Sequence, residues 1–235
     1  ITSSADPLGQ HLADLARDLH HASTAQAVLD RAVAAAVRLV PGADQGSISL
    51  VHARRKVTAA ASTSPAGRHL DDLQTELGQG PCLDAVFTHR ATRVHDLAVD
   101  ERWPALAARA GEIGMASVLC LQLYVIGDNL GALNLLGTGP GAFDDTSEHV
   151  GLLLAAHVAV AVAEARQDEN MHLGIARRDV IGQAKGILME RHRYSAEQAF
   201  DVLSRTSQDL NRKLFDVASE LTATGELPGR SRRGW

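Results

Sequence analysis

Aromatic side chains are scarce, at 3% of 235 residues, so a core here has to be assembled from Ala, Val and Leu. Cysteine is scarcer still. Cys82 and Cys120 form no C-x-x-C pair and leave no material for a disulfide framework, which points to a reduced, cytoplasmic setting. The 11 histidines are scattered without an H-x-x-x-H or similar spacing, so neither a metal site nor a cofactor is expected. No uninterrupted apolar run reaches the roughly 20 residues of a membrane span. The best candidate, GLLLAAHVAVAVA over 151–163, is short and carries His157. The N-terminus shows no basic region followed by an apolar stretch and cleavage site, so neither secretion nor a membrane partner is expected. Catalytic signatures are missing too. Ser47, Ser49 and the histidines make no nucleophile motif, and GQGPC (78–82) has proline where a phosphate-cradling loop needs Lys-Ser/Thr. The chain does not read as an enzyme.

What is present is ordinary globular material, 45% hydrophobic and 22% charged, enough for one large or two small domains. The net charge of −5 hides an asymmetry. Residues 171–235 hold 11 Lys and Arg against 8 Asp and Glu, whereas residues 1–170 hold 12 against 20. An acidic module joined to a basic one suggests that only the second meets a polyanion.

Apolar residues recur at helical spacing over 10–39, and Pro41-Gly42 ends that helix. GSISLV (46–51) and KVTAAAS (56–62) alternate like the arms of a hairpin. A helix is expected over 70–77, stopped by Gly78-Gln79-Gly80-Pro81, then a short helix in PCLDAVFTHR and a strand in TRVHDL. ASVLCLQLYV (116–125) and LGALNLLG (130–137) are the clearest strands, with Gly127-Asp128-Asn129 as turn. Antiparallel strands among helices make an α+β domain. A long helix is expected over 146–192, well beyond the usual ~11–12 residues. Leu154, Val158, Ala161 and Ala165, then Leu173, Ala176, Val180, Ala184 and Ile187, form a narrow apolar stripe interrupted at 167–170. Such a stripe is the seam of a parallel coiled-coil homodimer, or else its first half, Leu154 to Ala165, packs on the chain's own sheet. Ser195 and Gln198 have the form of a capping box opening the next helix, with Tyr194 stapled onto Ala199. Residues 226–235, ending GRSRRGW, read as a disordered basic tail.

IGQAKGILM (181–189), SAEQAFDVL (195–203) and SQDLNRKLFDVA (207–218), in that order, resemble the ANTAR domain of the AmiR and NasR transcription antitermination regulators. LGQGPCLDAVFTHRATRVHDLAVDERWPAL (77–106), with the two long strands behind it, resembles a GAF domain. The resemblance implies a GAF domain over 10–165, a linking coiled-coil helix over 146–192 and a three-helix ANTAR bundle over 171–224. It further implies a homodimer that binds paired stem-loops in nascent mRNA and prevents a terminator from forming, with no DNA partner. The GAF module would sense an unknown small molecule or mediate dimerisation. The cyclic-nucleotide signature of some GAF domains is missing, and Cys82 is read as a buried structural thiol rather than a redox-reactive one.

RNA loops expose base edges, which proteins read with side-chain hydrogen bonds while cations hold the phosphates. Arg178 and Lys185, seven residues apart, nearly eclipse one another on a helix, opposite the Val180/Ala184/Ile187 stripe. Gly182 and Gly186 each cost about 1 kcal/mol relative to Ala, so close approach by a neighbouring helix or by RNA is needed to explain them. Arg205, Ser207, Gln208, Asn211, Arg212 and Lys213 gather where one helix ends and the next begins, and the free N–H groups there suit phosphate. Asn211 either contacts RNA or caps the third helix. With Tyr194 the only ring nearby, readout should rest on polar and cationic groups. The competing reading is a dimeric protein-binding signalling scaffold without RNA binding.

Overall fold

The computed structural model describes residues 7–52, 56–88 and 90–229. It divides into two compact units, Ile1–Gln167 and Asp168–Trp235.

The first unit opens with α1 (Pro7–His20) and α2 (Ala25–Leu39). These are two helices where the apolar period predicts one. Thr24, in extended conformation, turns the chain, and its hydroxyl accepts the Ala27 N–H at 3.1 Å, an N-cap that starts a new helix. Five strands follow: β1 (Gln45–His52), β2 (Lys56–Ser62), β3 (Ala91–Val94), β4 (Ser117–Val125) and β5 (Asp128–Gly137). They form one sheet in the order β2-β1-β5-β4-β3, antiparallel throughout.

Both faces of the sheet are covered, so β4 reads as a near-continuous apolar run. Leu119, Leu121 and Leu123 point into a core shared with α1, α2 and the long helix α7 (Asp145–His192). Val118 and Cys120 point into a second core, under α3 (Pro65–Leu77), α4 (Pro81–Phe87) and two single-turn helices, α5 (Pro104–Ala107) and α6 (Ala110–Ile113). α3 begins at Pro65, earlier than the predicted 70, because Ser64 and Pro65 supply a start with proline in the first turn.

The Gly78–Pro81 breaker has a defined construction. Gln74 is buried in α3, and its Oε1 accepts the Cys82 N–H at 2.8 Å, so α4 borrows its cap from the preceding helix. Gly80 sits at φ 148°, and a Cβ there would lie 2.3 Å from Gln74 Oε1. Gly80→Ala is therefore expected to cost about 2–4 kcal/mol, from backbone strain and the displaced cap. Urea unfolding measures it, and a change within error of zero would contradict the capping role.

α7 corrects the seam expectation. Leu154 and Val158 are fully buried against the sheet, with Ala161 and Ala165 packed beside them. Ala184 is fully buried in the second unit's own core, and Val180 and Ile187 are packed against it. A narrow stripe is what one-sided burial on a chain's own core also produces, so these residues have little or no surface left for a partner helix. Leu173 and Ala176 do remain exposed. By length and composition α7 also contains an 18-residue window, mean hydropathy 1.4, that could cross a membrane; 44% of that window is buried inside the fold.

The second unit is the C-terminal part of α7 with α8 (Ala196–Asp209) and α9 (Leu214–Thr224). Ala184, Leu188, Ala199, Leu203, Val217, Ala218 and Leu221 make its core. The capping box is present: Ser195 Oγ accepts the Gln198 N–H at 3.2 Å, and Gln198 Oε1 accepts the Ser195 N–H at 2.8 Å. The tail expected from Glu226 onward is ordered at its start, since Leu227 packs on the bundle core and Pro228 is buried. Its remaining residues, 230–235, lie outside those described.

Candidate nucleic-acid interface

Arg178, Gly182, Lys185 and Gly186 lie along the part of α7 that belongs to the bundle. Arg178 and both glycines are exposed, and Lys185 is half-buried. The Lys185 ammonium stands 6.0 Å from the centre of the exposed Phe200 ring, which steadies the amine without neutralising it. The glycines answer the question of close approach in one direction. A Cβ at either position would meet nothing within 4 Å. Among the described residues no helix is packed against them, so the backbone strip between Arg178 and Lys185 is open to a partner.

The second cluster is the turn from α8 to α9. Asn211 adopts φ 49°, in the left-handed region that asparagine tolerates better than most residues. It does not cap α9. Lys213 occupies the N-cap position, with no side-chain acceptor; the Asp216 N–H donates to the Lys213 carbonyl at 2.9 Å, which leaves the Leu214 and Phe215 N–H groups available to an anion. Ser207 proves to be a staple: its hydroxyl donates to the Arg212 carbonyl at 2.5 Å, across the turn. Arg212 reaches Glu220 at 2.7 Å in a surface ion pair, worth about 0–1 kcal/mol and open to exchange for phosphate. The side chains of Arg205, Gln208 and Lys213 are exposed and have no hydrogen-bond or ion-pair partner among the described residues.

Other basic groups are committed elsewhere. Arg191 donates to the Gly225 carbonyl at the end of α9, and Arg177 lies 5.9 Å from the Phe215 ring centre. Arg193 holds φ 58° in the α7–α8 turn. Tyr194 is not the only ring nearby. His192 and Tyr194 stack with centroids 5.3 Å apart at 28°, a pairing the sequence analysis missed because it requires the turn at Arg193.

The turn geometry separates two roles for Asn211. Asn211→Gly keeps the left-handed backbone and is expected to change stability by less than about 0.5 kcal/mol, whereas Asn211→Ala should cost roughly 1 kcal/mol. A fall in RNA affinity for the glycine variant assigns the amide to recognition; unchanged affinity makes it a turn residue only.

In the first unit the structure shows a polar group that the sequence analysis did not find. Ser47, Asn134, Cys120 and Thr92 face one another in register across β1, β5, β4 and β3. Asp71 of α3 is laid over this row. Asn134 Nδ2 donates to Asp71 Oδ1 at 2.8 Å, while Asp71 Oδ2, Asn134 Oδ1 and Thr92 Oγ1 are buried without a partner. Burial pushes the Asp71 carboxyl up to about 7, against the downward pull of Ser47, Ser49 and Asn134. Burial also raises the Cys82 and Cys120 thiols, which makes both poor nucleophiles. A cleft of about 480 Å³ opens between α3 and α4, lined by Val57, Thr75, Leu83, Asp84 and Phe87 among others.

A family model for the GAF domain matches residues 22–163, and one for the ANTAR domain matches residues 169–221. Among solved structures, the chain is similar to the GAF domain of a Coxiella burnetii phosphoenolpyruvate-protein phosphotransferase at 19% identity and TM-score 0.56, covering 72% of this chain and 99% of that one. The corresponding Acinetobacter domain gives 17% and 0.55, over 71% and 99%. The chromophore-binding domain of a bacteriophytochrome from R. palustris gives 12% and 0.52, and there 70% of this chain covers 64% of that one. At these identities the likeness is one of fold. No curated protein matches the chain in sequence.

Proposed function

We propose that this chain, which belongs to the GAF domain family and carries an ANTAR domain behind it, is an RNA-binding transcription antitermination regulator of the AmiR and NasR kind. Both domains are regulatory rather than catalytic. In this reading the ANTAR bundle holds paired stem-loops of a nascent transcript and keeps a terminator from forming, and the GAF domain supplies the signal. The cleft beside α3 and α4 is where a small effector would enter.

The observation that supports RNA most strongly is the uncovered strip Arg178–Gly182–Lys185–Gly186. Two glycines in a helix cost stability, and nothing among the described residues makes use of the space they leave. An RNA backbone lying against that strip would use the space, with phosphates between the two cations. The turn Gln208–Lys213, with its uncapped helix start, supplies the second set of contacts. A gel-shift titration of the full chain against a hairpin pair at low salt tests the reading. Retention that weakens steeply with added salt supports it, since each phosphate contact releases counterions. No retention at low salt contradicts it.

The partner surface is a second copy of the chain. Met171, Leu173, Ile175 and Ala176 are exposed where neither core covers α7, and a dimer would also bring two bundles to two stem-loops. Leu173→Asp is expected to shift the purified chain from dimer to monomer in light scattering. A wild-type chain that is already monomeric at high concentration would remove the dimer from this account.

A further inference from the structure

The ANTAR unit contains a pocket of about 310 Å³ that the cationic strip does not include. Leu188 of α7 and Leu227, beyond α9, give it apolar walls. The stacked His192 and Tyr194 rings stand in its lining, and α8 contributes Arg205 and Asp209. The pocket depends on the ordered start of the tail. Gly229 lies against Leu210, with an added Cβ only 3.2 Å from Leu210 Cδ2, so the segment after α9 closes over the end of α8.

Three properties of the lining limit its occupant. At about 310 Å³ the pocket is at the small end of ligand sites and has no room for an RNA helix or a folded peptide. Its aromatic and aliphatic walls favour a flat apolar face over a bare phosphate. The side chains of Arg205 and Asp209, one helical turn apart, have no hydrogen-bond or ion-pair partner among the described residues, so they offer a donor fork and an acceptor to whatever enters. Leu210 lines the same pocket and directly precedes the Asn211–Lys213 turn. A nucleotide whose phosphate rests on that turn therefore has its base within reach.

We infer that this pocket takes one unstacked nucleobase bearing an exocyclic amino group: adenine, cytosine or guanine rather than uracil. The carboxylate of Asp209 only accepts hydrogen bonds, so it favours a base edge with an amine. Uracil presents a single N–H between two carbonyls, which a carboxylate repels. Tyr194 is the stacking face, and Arg205 serves the acceptor edge or the flanking phosphate. The inference rests on the RNA reading above for the source of the base. A free nucleotide would satisfy the same chemistry.

The test uses the full chain and a pool of hairpin RNAs with a constant stem and a randomised loop. The wild type is expected to enrich loops in which one position excludes uridine. On the selected hairpin, Tyr194→Leu should lower affinity about tenfold or more, and Tyr194→Phe should preserve it. Asp209→Asn should admit uridine at that one position, and Lys185→Ala should weaken all loops alike. Circular dichroism confirms that each variant is folded. If the wild type discriminates loops while Tyr194→Leu and Asp209→Asn keep its affinity and preference, the pocket assignment is overturned and the RNA reading stands. If the wild type retains no hairpin, the RNA reading fails, and calorimetric titration with AMP, CMP, GMP and UMP decides the pocket. Binding of the amino-bearing nucleotides that Asp209→Asn abolishes assigns the site to a free nucleotide; no binding overturns it.

Discussion

Replacing Arg178, Lys185 and Lys213 together with alanine is expected to lower hairpin-RNA affinity on the order of a hundredfold and to flatten the salt dependence by about two to three counterions. The three residues come from the two clusters, and none is held by a side-chain ion pair among the described residues. Arg212 is left out because it also bonds Glu220, and Ser207 because it staples the turn. Removing either would mix a folding effect with a binding effect. All three positions lie outside the buried core of the bundle, so the variant should melt within a few degrees of wild type. A protein-binding scaffold would lose nothing from the change. Fluorescence anisotropy on one labelled hairpin, at several salt concentrations, separates the two.

The second large effect concerns stability and pH in the GAF domain. Asp71 titrates near 7 in the folded state because it is buried, whereas an unfolded carboxylate titrates at the ordinary 3.8. A raised folded value means that the folded state keeps a proton the unfolded chain has released. Stability from this group is therefore complete below pH 3.8 and is lost as pH rises through about 7. Asp71→Asn removes the titration and keeps the shape, and its amide can donate to the unpartnered Asn134 Oδ1. The variant is expected to be more stable than wild type at pH 8 by on the order of 2–4 kcal/mol, and to be about equal to it under acid conditions. Urea midpoints for both proteins across that range are the measurement. Parallel pH profiles would show that Asp71 is ionised in the fold at no cost, by a partner not yet identified.

The signals legible in the sequence were local ones. Ser195 and Gln198 are three residues apart and close their box without help from the rest of the fold, so the start of α8 could be read directly. The same holds for the β4–β5 hairpin, where Gly127 sits in a two-residue turn with Ile126, although Asp128 and Asn129, read as turn residues, already pair with β4. The α1–α2 break was hidden because the apolar period continues on both sides of it, and Thr24 has Ala27, not an acid or amide, at the position that would have completed a capping box. The long helix was legible in extent, but its stripe was not legible in purpose. Burial of Leu154, Val158 and Ala184 on the chain's own cores produces the same spacing as a dimer seam.

Of the candidate site, residue types were readable and roles were not. Gly182 and Gly186 stood out by their cost, but only the packed bundle shows that the space beside them is empty. Arg212 and Lys213 look alike in sequence, and only the fold brings Glu220 to the first of them. The Asp71 row escaped because aspartate on a helix ordinarily faces water, and its partners Ser47, Ser49 and Asn134 are far away in the chain. The pocket at Tyr194 escaped for a similar reason: His192, Arg205 and Leu227 meet only after the turn and the tail have folded over α8.

The decisive property is where RNA touches this chain. Photocrosslinking of a thiouridine-substituted hairpin to the purified chain, with the linked peptides identified by mass spectrometry, locates the contacts directly. Crosslinks should fall between Arg178 and Gly186 and between Arg205 and Lys213. Crosslinks confined to the GAF domain, or none at all from a hairpin in excess, would mean that the open glycine strip and the uncapped helix serve something other than RNA.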